Sequence, residues 1–307
     1  MPDAATRIAT ELGNIASHLA RIADRLACDA QPMDARQTSP RKHTPGTAPA
    51  HTIDPDAADA YLWTGTMTPL TRLDALPLDV LVGIDRQRMT LLDNTRRFIQ
   101  GKPALDALLW GSRGMGKSSL VKAVCHQVST EKPKALAMVE IPRQYLKDIG
   151  TLIEQLRAVP KRFVIFCDDL SFDSLDDTYR TLKTALEGGL AKRPDNVLIY
   201  ATSNRRHLVD QHSDRATLMQ SDQVDESLSL ADRFGLWLGF HHCPQPAFEA
   251  MVRAHAAHVG LAKKHQRTLI QQANTFARQR GGRSGRIASQ FISQLRTRRT
   301  PDKKTSR

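Results

Sequence analysis

Eight residues carry the clearest chemistry in this chain. Gly111-Ser112-Arg113-Gly114-Met115-Gly116-Lys117-Ser118 fits the pattern G-x-x-x-x-G-K-[ST] at every fixed position. Glycines let the backbone turn tightly, so that successive N–H groups converge on an anion. In such a cradle Lys117 reaches the outer phosphates of a nucleotide, and the Ser118 hydroxyl ligates Mg²⁺. Ser119 follows, and a helix that starts here adds the positive end of its dipole. The apolar "ALLW" before the motif and the helical "SSLVKAVCHQV" after it supply the strand and helix that the motif requires.

Binding alone needs no more than this, whereas hydrolysis also needs a metal holder and a group to aim water. "RFVIFCDDLSF" ends an apolar strand in two carboxylates, Asp168 and Asp169. At such a strand end the first acid binds Mg²⁺ through water beside Ser118, and the second orients or deprotonates the attacking water. Asp169 is one methylene shorter than the Glu more usual in that role. The strand "NVLIYATSN" ends in Asn204, placed to meet a γ-phosphate or the water; by itself an Asn at a strand end is a common turn residue. "ADRFGLWLGF" puts Arg233 just before another strand, where an arginine can project into a neighbouring subunit's nucleotide. "GGRSGRIASQF" offers Arg283 and Arg286 at the start of a late helix.

These residues must be held by alternating elements. Apolar strands "ALLW", "ALAMVEI", "RFVIFCDDL", "NVLIYATSN" and "LWLGFHH" are separated by helical patterns such as "YLKDIGTLIEQLRAV" and "LDDTYRTLKTALEGGL". That alternation predicts an α/β fold: a parallel five-stranded sheet with helices on both faces, in three layers. Beyond Pro244 only helical patterns remain, predicting a small all-α unit over residues 244–296. Residues 58–243 form the α/β body. Ahead of it, Ile8, Leu12, Ile15, Leu19, Ile22 and Leu26 make a heptad seam over residues 1–28, either a short coiled coil or a helix lying on the protein's own core. Residues 29–57, rich in Pro, Thr, Ala and Asp, read as a flexible linker.

The 307 residues contain no apolar run long enough to span a membrane, and the N-terminus lacks the texture of a secretory signal. Cys28, Cys125, Cys167 and Cys243 are scattered without a C-x-x-C pair, as in a cytoplasmic protein with reduced thiols. The net charge of +12 is uneven: from Arg253 to Arg307 there are 14 Lys/Arg and one acid, Asp302. Such a run suits a polyanion or a solvated tail, here residues 297–307. His241, His242 and Cys243 lack a partner cluster that would make them metal ligands. Met219 reads as a packing or surface residue, and Arg205 and Arg206 as phosphate contacts or a solvated loop.

The order of these motifs from about Leu76 to Leu295 resembles the AAA+ ATPase superfamily. More narrowly, "LVGIDRQ", "NTRRFIQGKPALDALLWGSRGMGKSS", "FVIFCDDLSFD", "LKTALEGGL", "YATSNRRHLV" and "LSLADRFGLWLGF" resemble a bacterial AAA+ family catalogued as domain of unknown function family 815. The resemblance implies ATP and Mg²⁺ as cofactors, with Gly111, Gly116, Lys117, Ser118 and Asp168 holding them. It implies Asp169 for water activation, Asn204 as sensor 1, Arg233 as arginine finger and Arg286 as sensor 2, with Arg283 as competitor. "LVGIDRQ", centred on Val82, Gly83 and Asp85, matches the segment that lies along the adenine. The implied function is an ATP hydrolase that works as a homo-oligomer on a macromolecular client, protein or nucleic acid, away from membranes. A nucleotide-dependent switch with little turnover is the second reading, and a small-molecule kinase a more distant third.

Overall fold

Parallel pairing brings the ends of the chemically important strands to one edge. In the computed structural model, strands β1 (Ala60–Trp63), β2 (Met67–Pro69), β3 (Ala107–Gly111), β4 (Leu136–Glu140), β5 (Arg162–Cys167), β6 (Val197–Ser203) and β7 (Leu236–Phe240) form one sheet. Its order is β2-β1-β4-β5-β6-β3-β7. All neighbours are parallel except β1 and β2. The description covers residues 57–170, 177–187, 193–204, 231–261 and 266–299. The heptad helix, the linker up to residue 56, Arg205, Arg206, Met219 and residues 300–307 lie outside it.

The five strands expected from sequence are β4-β5-β6-β3-β7, so the expectation of a five-stranded sheet is corrected to seven. The additional pair is a short hairpin, four and three residues long, too brief to display a period-2 pattern. Its strand character comes from tertiary pairing: β1 adds alongside β4 and buries Ala60, Tyr61 and Trp63.

Helices α1 (Asp85–Ile99), α2 (Lys117–Glu131), α3 (Ile149–Arg157) and α4 (Asp177–Glu187) flank the sheet. Side chains alternate across the strands because successive residues of a strand point to opposite faces. Leu109, Val164, Phe166, Leu198 and Tyr200 enter one core with α1 and α2, while Leu108, Phe163, Ile165 and Ile199 enter the other with α3 and α4. The result is the expected three-layer sandwich. Tyr200 also ties β6 to α1: its hydroxyl lies 2.8 Å from Thr95 Oγ1 and accepts from Asn94 Nδ2 at 3.0 Å. These partners satisfy a phenol whose pKa burial pushes well up.

After β7 the chain turns helical, with α5 (Gln245–His258), α6 (Gln266–Gln279) and α7 (Gly285–Arg299). Phe248, Met251 and Val252 of α5 pack with Ala288, Phe291 and Ile292 of α7, continuous with the first core. Helix α7 runs through Arg299, three residues into the stretch expected as a tail.

Candidate functional site

β3 ends in Gly111 beside β7, and the close approach there dictates the residue type. Ser112 N donates to Phe240 O at 2.8 Å. A Cβ on Gly111 would stand 2.2 Å from that same oxygen, with φ at +116°. The loop then folds under α7. Gly114 O accepts from Arg286 N at 3.1 Å, and a Cβ on Gly114 would meet Ser284 Oγ at 2.9 Å. Gly116 caps α2, whose first residue is Lys117. The loop therefore couples the sheet edge to the helical C-terminal unit through its own backbone.

Lys117 is buried and folds back over the loop. Its Nζ donates to Gly111 O, Ser112 O and Asn204 Oδ1, each at 2.9 Å. Burial lowers its pKa to about 8, opposed by the nearby carboxylates of Asp169 and Asp168 and reinforced by Arg113 and Arg286. Next to it, Ser118 Oγ donates to Asp168 Oδ1 at 2.7 Å. Thr202 Oγ1 donates to the same carboxylate oxygen at 2.6 Å, and accepts from Asp169 N at 2.8 Å. Asp169 adopts the left-handed region, φ +53°, which a short polar side chain tolerates. Asn204 Nδ2 donates to Asp169 Oδ1. Arg113 Nη2 stands 4.0 Å from Asp169 Oδ2, both side chains being exposed.

These groups open onto a cavity of about 430 Å³. Gly114, Met115, Gly116, Lys117, Ser118, Ser119, Asp168, Asp169 and Asn204 form one end, and Val82 with Arg286 joins the wall. Gly111, Ser112 and Arg113 belong to the same loop but are not among the residues lining the cavity. Gly83 faces α5, where its hypothetical Cβ would sit 3.6 Å from Met251 Cε. Asp85 starts α1 and pairs with Arg88 at 2.6 Å. Of the two arginine candidates, Arg286 lines the cavity, while Arg283 Nη2 donates to Gln245 Oε1 at 3.2 Å. Arg233 is not among the lining residues; its Nη2 pairs with Glu187 Oε1 at 2.8 Å.

Several lining residues escaped the sequence reading. Thr202 is the most consequential, since it fixes both acids, and its position two residues before Asn204 on one strand was the available signal. Met251, His255 and Ser289 reach the cavity from α5 and α7. Nothing in a lone sequence distinguishes them from packing residues. Burial lowers the pKa of His255, with His258 adding to the shift. Ser284 caps α7, accepting from Ile287 N at 3.3 Å, and holds the turn against Gly114.

The set fits a nucleotide with its metal. Gly111, Gly114 and Gly116 all take the positive φ of a tightly turning, anion-cradling loop, and Ser118 with Asp168 offers the hard oxygen donors that Mg²⁺ prefers. Cys243 is not among the lining residues but is buried behind one of them, with Sγ 3.9 Å from Met251 Sδ, and His241 meets Trp110 edge-on. Among the described residues no group of three or more His, Cys, Asp or Glu side chains converges as metal ligands would.

Residues 56–299 match the family described as protein of unknown function (DUF815). No curated protein matches the sequence. Among solved structures, the ORC1 protein of Aeropyrum pernix in complex with DNA aligns with a TM-score of 0.52 at 13% identity, over 73% of this chain and 65% of that one. The RuvB Holliday junction branch migration motor of Thermotoga maritima aligns with a TM-score of 0.45 at 16% identity, over 70% and 61%. C. elegans PCH-2 gives 0.48 at 18%, over 73% and 68%. This chain thus spans less than two thirds of the RuvB chain's length. The fold is that of the AAA+ P-loop NTPases.

Proposed function

The chain belongs to the family described as protein of unknown function (DUF815), and from its site we propose that it is an AAA+ ATPase that hydrolyses ATP between subunits of a homo-oligomer to remodel a macromolecular partner. The observation that carries this reading is the meeting of Ser118 Oγ and Asp168 Oδ1 at 2.7 Å, at the mouth of the phosphate cradle. Residues 58–243 serve as the nucleotide-binding body and 244–299 as its lid.

The residues take the following roles. Backbone N–H groups from Gly114 to Ser118 cradle the β- and γ-phosphates. Lys117 exchanges its three oxygen acceptors for phosphate oxygens, which also restores its full charge. Ser118 and Asp168 would hold Mg²⁺, which neutralises charge building on the phosphates. Asp169, aimed by Asn204 and by the Thr202 hydroxyl on its backbone N–H, orients the attacking water and accepts its proton. Arg286 enters from the lid and closes over the phosphates.

Arg233 supports the oligomeric part of the reading. It pairs with Glu187 and is not among the residues lining its own subunit's cavity. An arginine so placed contributes when a neighbour presents its nucleotide, and such a finger is worth about 10³–10⁵ in rate. The buried free thiols Cys125, Cys167 and Cys243 favour a reducing cytoplasm. Among the described residues no helix is long and apolar enough to cross a membrane.

A nucleotide-dependent switch with little turnover is the second reading. It is favoured by Asp169, a short carboxylate already engaged by Asn204. Phosphate release from ATP by wild type and Lys117→Ala separates the two: a hydrolase loses its turnover in the variant, whereas a switch shows tight ATP binding and negligible turnover from the start.

A further inference from the structure

The lid carries an unusual charge distribution. From Arg253 to Arg299 the sequence contains 11 Lys/Arg and not one Asp or Glu. The acid just before this stretch, Glu249, is already engaged by Gln245, Arg253 and Asn274, at 3.0, 3.3 and 3.3 Å. Glu249 thus pairs with Arg253, and the stretch itself supplies no carboxylate for the other ten cations.

Part of this charge borders a groove. Between α6 and α7 lies a depression of about 570 Å³, walled by Gln271, Gln272, Thr275 and Gln279 on one side and by Phe291 and Gln294 on the other. Arg280 closes one end with its guanidinium 5.3 Å from the centre of the half-buried Phe276 ring. Arg278 donates to Thr275 Oγ1 at 3.4 Å, and Arg267 is exposed one turn before Gln271 on the same helix. Helix α7 gives Arg286, Ser289 and Gln290 to the nucleotide cavity, and Phe291 and Gln294 to this groove. The two sites are thus on different faces of one helix.

We propose that the α6–α7 groove of the lid binds the backbone of single-stranded nucleic acid. Its chemistry suits that partner: arginines for phosphates, glutamines for exposed base edges, and an arginine-stacked phenylalanine as a platform for a base. A groove with no carboxylate among its described lining residues favours a polyanion over a protein of mixed surface charge. The binding claim stands on the lid surface alone. Only the step that makes this strand the client of the ATPase rests on the function proposed above.

The test is fluorescence anisotropy of a labelled single-stranded oligonucleotide with the full chain, without nucleotide, over a salt series. Wild type should bind with an affinity that falls steeply with salt. The triple variant Arg267→Glu, Arg278→Glu, Arg280→Glu should weaken binding by about tenfold or more and flatten the salt slope by about two units. The milder pair Arg267→Gln and Arg280→Gln should flatten it by about one and a half, which keeps the test intact if the triple variant misfolds. Wild type that does not bind at low salt would overturn the proposal. So would binding that survives these substitutions but vanishes on deleting Arg298 to Arg307, or a duplex of the same length bound more tightly. None of these readouts depends on ATP turnover, so failure here and failure of the ATPase reading are separable.

Discussion

Ser118 Oγ and Asp168 Oδ1, fifty residues apart in sequence, meet at 2.7 Å where the first turn of α2 faces the end of β5. That contact joins the phosphate cradle to the acid pair, and Thr202 completes it from β6. The hydroxyl of Thr202 donates to Asp168 while accepting from the backbone of Asp169, so one side chain sets the position of both acids.

Thr202→Val should therefore act as loss of a positioning residue. Removing the hydroxyl leaves Asp168 without one donor and the Asp169 N–H without its acceptor, at a cost of about 1–3 kcal/mol in stability. Turnover should fall by about 10–100-fold, with a higher Mg²⁺ requirement. A Mg²⁺ titration of turnover beside Thr202→Ser, which should restore both, checks this. An unchanged Mg²⁺ dependence in the valine variant would remove Thr202 from the site.

Asp169→Asn should keep ATP bound and lower turnover by about 10²–10⁴, the usual range for losing a general base. The left-handed backbone at this position tolerates Asn, so folding should be retained. Nucleotide retained after gel filtration, set against phosphate release, measures both effects. Unchanged turnover would reassign the role.

Lys117 makes ATP binding pH-dependent. Burial holds its pKa at about 8 in the free protein, and phosphate contacts favour the charged form, so binding above pH 8 takes up a proton. Affinity should decline as pH rises past about 8, with proton uptake visible by calorimetry in buffers of different ionisation enthalpy. For folding the sign is opposite. Between pH 8 and the ordinary lysine value the unfolded chain binds more protons than the folded one, so this group adds stability as pH rises through that window. Lys117→Met should abolish both trends, and a proton uptake that persists in the variant would assign it to another group.

Gly111→Ala should destabilise the fold without touching a nucleotide-lining side chain. The added methyl would stand 2.2 Å from Phe240 O at a φ of +116°, so β3 and β7 must part. A loss of about 2–4 kcal/mol is expected in denaturant unfolding. A loss below half a kilocalorie would mean that the edge of the sheet relaxes freely.

The parts of this architecture legible in sequence share a local origin. The glycine-lysine-serine run, the acids at the end of "RFVIFC" and the strand–helix alternation each depend on neighbours in the chain. The order and residue types of those motifs already located Lys117, Ser118, Asp168 and Asn204 at one sheet edge. What stayed hidden depends on contact across the fold. The β1–β2 hairpin is strand because β4 lies beside it, and Thr202 matters because two acids from β5 end next to it. Arg286 and Arg283 could not be separated in "GGRSGR", since the distinction lies in which one α7 turns toward Gly114. His255 and Met251 look like packing residues in sequence, and only the packing of α5 beside the phosphate loop brings them to the cavity.

Turnover per subunit against protein concentration, for wild type and Arg233→Ala, shows whether ATP is hydrolysed between subunits. Wild type should rise with concentration toward a plateau, while Arg233→Ala should bind ATP with similar affinity yet stay low at every concentration. Turnover that is independent of concentration, or that Arg233→Ala leaves unaltered, would rule out hydrolysis between subunits.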